Sequence, residues 1–172
     1  MAQKKLRVRL IPQEETEWCG FAAAEMVLRF YHRPAQDVRQ CSLANAFFLR
    51  NDCCNNPVPG QCNVGINEID VVNIYANNQV TATQQGRRLS FTELRNEIQA
   101  ERPVETKYQW NGGGAHVVIV RGYRETRTDQ FVTVNDPWPF YQSGDLPLQV
   151  FETANGKGSW VETWTLLDRS RS

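Results

Sequence analysis

An α+β domain is the fold this sequence predicts, and three observations carry it. Apolar residues recur at spacings of three and four up to about residue 101, then at a spacing of two from about residue 102 onward. Neither half contains an internal repeat or a low-complexity tract. The 172 residues, 41% of them hydrophobic, are enough for one core. We therefore expect one domain over residues 1–172, with a helical part over about 10–101 packed on an antiparallel sheet over about 102–168.

The elements follow in order. Residues 1–10 alternate basic and apolar side chains and read as a short strand. From Cys19 to His32, Ala22, Met26 and Phe30 repeat at helical spacing, as do Ala23 and Val27, which predicts a buried helix starting near Cys19. A second helix is expected over 35–49, after Pro34. It runs into a loop dense in turn formers, Asn51 to Asn63, that holds three of the five cysteines. Ile66 to Tyr75 predicts a third helix, and Ser90 with Glu93 predicts a capping box opening a fourth. After Pro103, strands are expected at 104–110, 116–123, 131–135 and 160–166, with the segment from Gly144 onward as edge strands covering the sheet. Trp160 and Trp164 are expected in the core rather than in a substrate groove.

Composition excludes several functions. Nineteen basic residues balance nineteen acidic ones, so no general field gathers polyanions, and a nucleic-acid partner is not expected. The longest apolar runs, Phe21–Ala24 and Val117–Val120, are far too short to span a bilayer, so no membrane partner is expected either. The amino terminus is basic but lacks the apolar block of a secretion signal. The protein is therefore expected in the cytoplasm, or outside it by a route that needs no amino-terminal signal peptide. With twelve residues before Gln13 and 172 in all, neither an inhibitory pro-segment nor an attached transporter is expected.

Cys19 stands at the start of the buried helix, where free backbone N–H groups and the helix dipole favour a thiolate. Gln13, six residues upstream, has an amide able to donate to an oxyanion above the sulfur. Of the two histidines, His32 ends a helix, where a cation has a structural reason to sit. His116 instead follows Asn111-Gly112-Gly113-Gly114-Ala115 and opens the apolar run Val117–Val120, at the lip of a core strand facing a cleft. If the strands at 116 and 131 form a hairpin through 124–130, Asp136 reaches the imidazole and can hold it. Asn135 is the rival, one residue away on the opposite strand face.

These blocks resemble a papain-like cysteine peptidase. The resemblance rests on Gln13, the run Trp18-Cys19-Gly20-Phe21-Ala22-Ala23-Ala24, His116-Val117-Val118-Ile119-Val120, and Asn135-Asp136-Pro137-Trp138. The order glutamine, cysteine, histidine, acid or amide matches, as does the spacing of Gln13 to Cys19. The chain is most similar to bacteriocin-leader peptidases and plant-pathogen effector proteases, over residues 10–140. It departs from papain in having Gly20, not tryptophan, after the cysteine and Asn135-Asp136-Pro137-Trp138 at the third site. The resemblance implies a papain-like fold, with the nucleophile on the helical half and His116 and Asp136 on the sheet. It implies hydrolysis of a peptide or isopeptide bond through an acyl-enzyme, in the setting of a bacterial effector or toxin.

That chemistry calls for no metal and no organic cofactor. Its partner is a protein or peptide substrate, to which the effector reading adds a host activating factor or a cognate inhibitor protein. A papain-like module that binds a peptide without turnover is the competing expectation. Cys41, Cys53, Cys54 and Cys62 remain; two disulfides, a four-cysteine zinc site or four reduced thiols each fit their number. The lack of an export signal makes reduced thiols the default, and the missing Cys-x-x-Cys gap counts against zinc and redox chemistry.

Overall fold

The run Cys19–His32 folds as helix α1 and is buried from Gly20 to Leu28, with its polar pair Glu25–Arg29 joined at 2.7 Å and Arg29 reaching solvent. Three consecutive alanines, Ala22 to Ala24, let neighbouring elements approach it closely. The structure, a computed structural model, describes residues 1–32, 37–138 and 143–168, and of His32 only the backbone. Along the chain, β1 (Ala2–Lys5) precedes α1, followed by α2 (Gln40–Phe48), α3 (Glu68–Asn77), β2 (Val80–Gln84) and α4 (Phe91–Gln99). Then come β3 (Val104–Trp110), β4 (Ala115–Glu125), β5 (Gln130–Asn135), β6 (Gly144–Pro147), α5 (Leu148–Glu152) and β7 (Gly158–Asp168).

The α+β division is present, and both capping signals behave as their chemistry requires. The Ser90 side chain accepts from the Glu93 N–H at 3.3 Å while the Glu93 carboxylate accepts from the Ser90 N–H at 2.7 Å. Helix α2 starts five residues later than expected. Arg33–Gln36 lie outside the described residues, but Asp37–Arg39 are not helical. The Asp37 carboxylate there takes the Arg39 guanidinium at 2.7 and 2.8 Å and the Ser42 hydroxyl at 2.8 Å, a local network that competes with the helix.

The strands form one seven-stranded sheet in the order β2-β7-β3-β4-β5-β6, with β1 paired to the far end of β4. All pairings are antiparallel. Two expectations need correction. The carboxy-terminal segment does not cover the sheet as edge strands: β7 lies inside it, between β2 and β3, because Trp160, Trp164 and Leu166 are buried. Leu148–Glu152 turns into α5, and only β6 is an edge. The other edge is β2, which comes from the helical half and was not anticipated, although Val80-Thr81-Ala82-Thr83-Gln84 alternates. At the bulge near Gly122, a Cβ would come within 2.8 Å of the Lys4 carbonyl and 2.9 Å of the Thr133 hydroxyl, so β1 can pair there only over glycine.

Candidate active site

Cys19 is the first residue of α1: the Ala22 N–H donates to the Trp18 carbonyl at 2.9 Å, which leaves the Cys19 N–H without a helical acceptor. The segment before it is anchored from the cysteine-rich loop. The buried Trp18 indole donates to the Cys62 carbonyl at 2.7 Å, and the Glu17 N–H donates to Asn63 Oδ1 at 3.0 Å. That loop is stapled by Cys41–Cys54 and Cys53–Cys62, so the default of reduced thiols is overturned. The Cα atoms of each pair lie 4.9 and 5.5 Å apart, within disulfide range. Among the described residues, the group with the makings of a metal site is Asp52 with Cys53 and Cys62, and its two sulfurs are joined to each other. Cys19 is the free cysteine, half-buried at the cleft.

The hairpin of β4 and β5 puts Ile119 opposite Asn135, so Asp136 falls on the face shared by Val118 and His116. His116 Nε2 meets Asp136 Oδ1 at 2.7 Å, with both side chains buried. The same carboxylate oxygen accepts from the Trp138 N–H at 2.8 Å, which fixes its orientation. Asn135 is turned the other way: it accepts from the Arg121 guanidinium at 2.7 Å and donates to the Val8 carbonyl at 3.0 Å. It ties the amino-terminal segment to the sheet.

The Cys19 side chain also hydrogen-bonds to the His116 ring. With Nε2 on Asp136, the other ring nitrogen is the one left for the thiol. Burial pulls the imidazole pKa down, but the hydrogen bonds and charges of Asp136 and Cys19 outweigh it and raise it to about 9. The Trp110 indole stacks on the ring at 5.9 Å between centroids, a contact the sequence reading missed.

Gln13 is the candidate whose geometry differs most from its expected role. Its backbone N–H donates to the Pro137 carbonyl at 2.9 Å, so it lies between the nucleophile segment and the Asp136 segment. Its amide does not offer a proton to the cleft: Nε2 donates to the Glu15 and Thr16 carbonyls, each at 2.8 Å, and Oε1 is buried without a partner.

A cavity of about 200 Å³ opens beside Cys19 and His116, between the helical and sheet parts, where a cleft was expected. Ile66, Val71 and Val117 give it apolar walls, Glu17 and Asn67 line it as well, and Glu68 and Lys107 form an ion pair in it. Neither charged residue had been singled out. Lys107 sits in an alternating strand and Glu68 in a helix's first turn, where such residues are usually solvated.

The likeness to known proteins agrees with this geometry. The family described as Peptidase_C39 like matches residues 5–164. In three dimensions the chain is similar to a C39-like protein from Bacillus anthracis, at TM-score 0.68 and 17% identity over 98% of this chain and 99% of the other. It is also similar to a double-glycine-motif protease from an AMS/PCAT transporter, solved with its leader peptide, at TM-score 0.53 and 20% identity over 96% and 99%. A mite allergen structure, of the Blo t 1 and Der p 1 group, matches at TM-score 0.58 and 12% identity over 96% of this chain and 70% of the other. None of the curated proteins matches the chain in sequence. The fold is papain-like, and the chain belongs to the Peptidase_C39-like family, as a cysteine peptidase.

Proposed function

We propose that this peptidase cleaves peptide or isopeptide bonds through an acyl-enzyme on Cys19, with His116 as acid and base and Asp136 orienting the ring. The observation that carries this reading is the buried His116 ring, held by Asp136 at 2.7 Å on one nitrogen and hydrogen-bonded to Cys19, the free cysteine among the described residues. His116 takes the Cys19 proton, and the sulfur attacks the carbonyl carbon, forming a C–S bond as the carbonyl π pair moves to oxygen. The Cys19 N–H, unclaimed within the helix, faces that developing charge. His116 then protonates the leaving amine, and water, deprotonated by the same ring, hydrolyses the thioester. Trp110 shields one face of the ring from water.

Gln13 joins the oxyanion site by exchanging one of its two carbonyl acceptors for substrate, since catalytic hydrogen bonds often form only in the complex. The leader peptide bound to the double-glycine-motif protease supports a peptide as substrate. The two disulfides support action in an oxidising compartment over action in the cytoplasm. The test is iodoacetamide labelling of each cysteine against pH, read by peptide mass spectrometry. Fast labelling of Cys19 below pH 8 that disappears in His116→Ala is expected. Labelling that ignores His116 sinks the acyl-enzyme reading and favours a binding module without turnover.

A further inference from the structure

The ion pair in the cleft pocket has no place in the chemistry above. Lys107 comes from β3, opposite Val117 on β4, and Glu68 from the first turn of α3, so the pair joins the two sides of the cleft. Glu68 is held in place by the cap: Asn67 accepts from the Ile69 and Asp70 N–H groups, and Asp70 accepts from the Asn67 N–H. The Lys107 side chain is only 20% exposed and that of Glu68 is 38% exposed, so both charges sit partly out of water in a cavity that Ile66, Val71 and Val117 line on the apolar side and Glu17, Asn67 and His116 on the polar side. The hydrogen bond from Lys107 keeps the Glu68 carboxyl below its ordinary value, which leaves it ionised across neutral pH.

We infer that this pocket receives a carboxamide side chain of the substrate, glutamine or asparagine, one or two residues from the scissile bond, read by Lys107 and Glu68 together. The inference rests on the peptidase reading, because a peptide laid across Cys19 is what brings a side chain to the pocket. The ammonium spends one proton on Glu68 and keeps others to donate, and the carboxylate keeps lone pairs to accept. A carboxamide satisfies both at once: its oxygen accepts from Lys107 Nζ and its NH₂ donates to the Glu68 carboxylate. A glutamate side chain meets Lys107 but is repelled by Glu68, and an arginine meets the reverse. An aliphatic side chain covers both charges and returns no hydrogen bond, which is costly where water is displaced. Ile66 and Val117 then pack on the methylene stem.

The test uses peptidyl acyloxymethyl ketones, which alkylate the thiol without needing turnover, carrying Gln, Asn, Leu, Glu or Arg at each of the two positions before the electrophile. Second-order rates are compared as ratios within one protein, so a general loss of reactivity cancels. The intact protein is expected to react at least tenfold faster with Gln or Asn than with Leu, Glu or Arg at one of those positions. Lys107→Met, which leaves Glu68 alone, should turn the preference to Arg, and Glu68→Gln should turn it to Glu. A flat ranking, or a Leu preference in the intact protein, overturns the inference whether or not the variants fold. Loss of the His116 dependence of iodoacetamide labelling overturns the peptidase reading; a flat ranking with that dependence intact overturns this one alone.

Discussion

Asp136→Asn tests the electrostatics of the site most directly, because asparagine keeps an acceptor oxygen for the His116 ring and the Trp138 N–H while removing the charge. His116 titrates at about 9 instead of 6.5, a gap of about 3 kcal/mol at about 1.4 kcal/mol per pH unit. Burial acts against that rise, so the two partners together push harder than the gap itself. Asp136 outranks Cys19 both as hydrogen-bond partner and as charge, so it supplies more than half of the push. In Asp136→Asn the imidazolium should therefore lose its proton at least about one pH unit lower, near pH 8. The sequence has only two histidines, so ring carbon or nitrogen shifts against pH give two curves, and His32→Gln identifies which belongs to His116. Peptide cleavage should follow, since the leaving amine needs the imidazolium: the alkaline limb of kcat/KM moves down with the ring pKa. A His116 curve that stays near 9 in Asp136→Asn would refute the assignment of the rise to the carboxylate.

Three further outcomes are expected. Glu105 is fully buried, and burial, opposed by the Tyr75 hydroxyl at 2.6 Å, raises its carboxyl to about 8. A carboxyl raised on folding stabilises below its unfolded value of 4.5, and that stability is lost as pH rises through 8, so Tm should fall across this window and stay flat in Glu105→Gln. Between pH 4 and pH 9 the unfolding free energy should fall by about 5 kcal/mol more in the intact protein than in Glu105→Gln by denaturant titration. Reducing the disulfides, which span 13 and 9 residues, should cost about 3 kcal/mol each in denaturant unfolding, with kcat/KM falling before global unfolding because Trp18 hangs from the Cys62 carbonyl. Gly20→Ala would place a Cβ 2.4 Å from Ile66 Cδ1, so the Ile66 side chain must swing; stability should drop by about 1 kcal/mol, and peptide KM should rise as Ile66 shifts in the pocket it lines.

Cys19, His116 and Asp136, which the structure brings together, could be singled out in the sequence because each sits where local chemistry is readable: a helix start, a glycine-flanked strand lip, a strand end. Choosing Asp136 over Asn135 needed the β4–β5 register, since one residue of slip exchanges the two faces. The carboxy-terminal strand was read as an edge because its apolar residues look alike whether one or both sides are covered. Its place beside β2 depended on a short strand with only two buried residues, Val80 and Ala82, set in the helical half. The disulfides were not legible, since pairing depends on how the loop between α2 and α3 folds back on itself and the expectation of a cytoplasmic location favoured reduced thiols. The Lys107–Glu68 pair was invisible for the same reason: 39 residues of sequence separate its members, and only the packing of α3 against the sheet joins them.

The site depends on two bodies held in register, one carrying sulfur and the other the ring, and small displacements between such groups cost large factors in rate. Among the hydrogen bonds that cross between these bodies, three act at different heights along α1 and the amino-terminal segment. The Gln13 N–H reaches Pro137, Asn135 reaches the Val8 carbonyl, and the Tyr31 hydroxyl at the far end of α1 reaches the Leu166 carbonyl at 2.9 Å. The first two flank Asp136 in sequence, so the amino-terminal segment is fastened on both sides of the residue that orients the ring. Asn135, which lost the contest for the imidazole, thus has a task of its own: it fixes the strand end from which Asp136 projects. The nucleophile lacks an equivalent strand and is instead hung from the stapled loop through Trp18 and Glu17. A small helical half with few long elements gains from disulfides the rigidity that the sheet obtains from its ladder, which explains why the staples lie against the nucleophile segment while the ring and carboxylate need none.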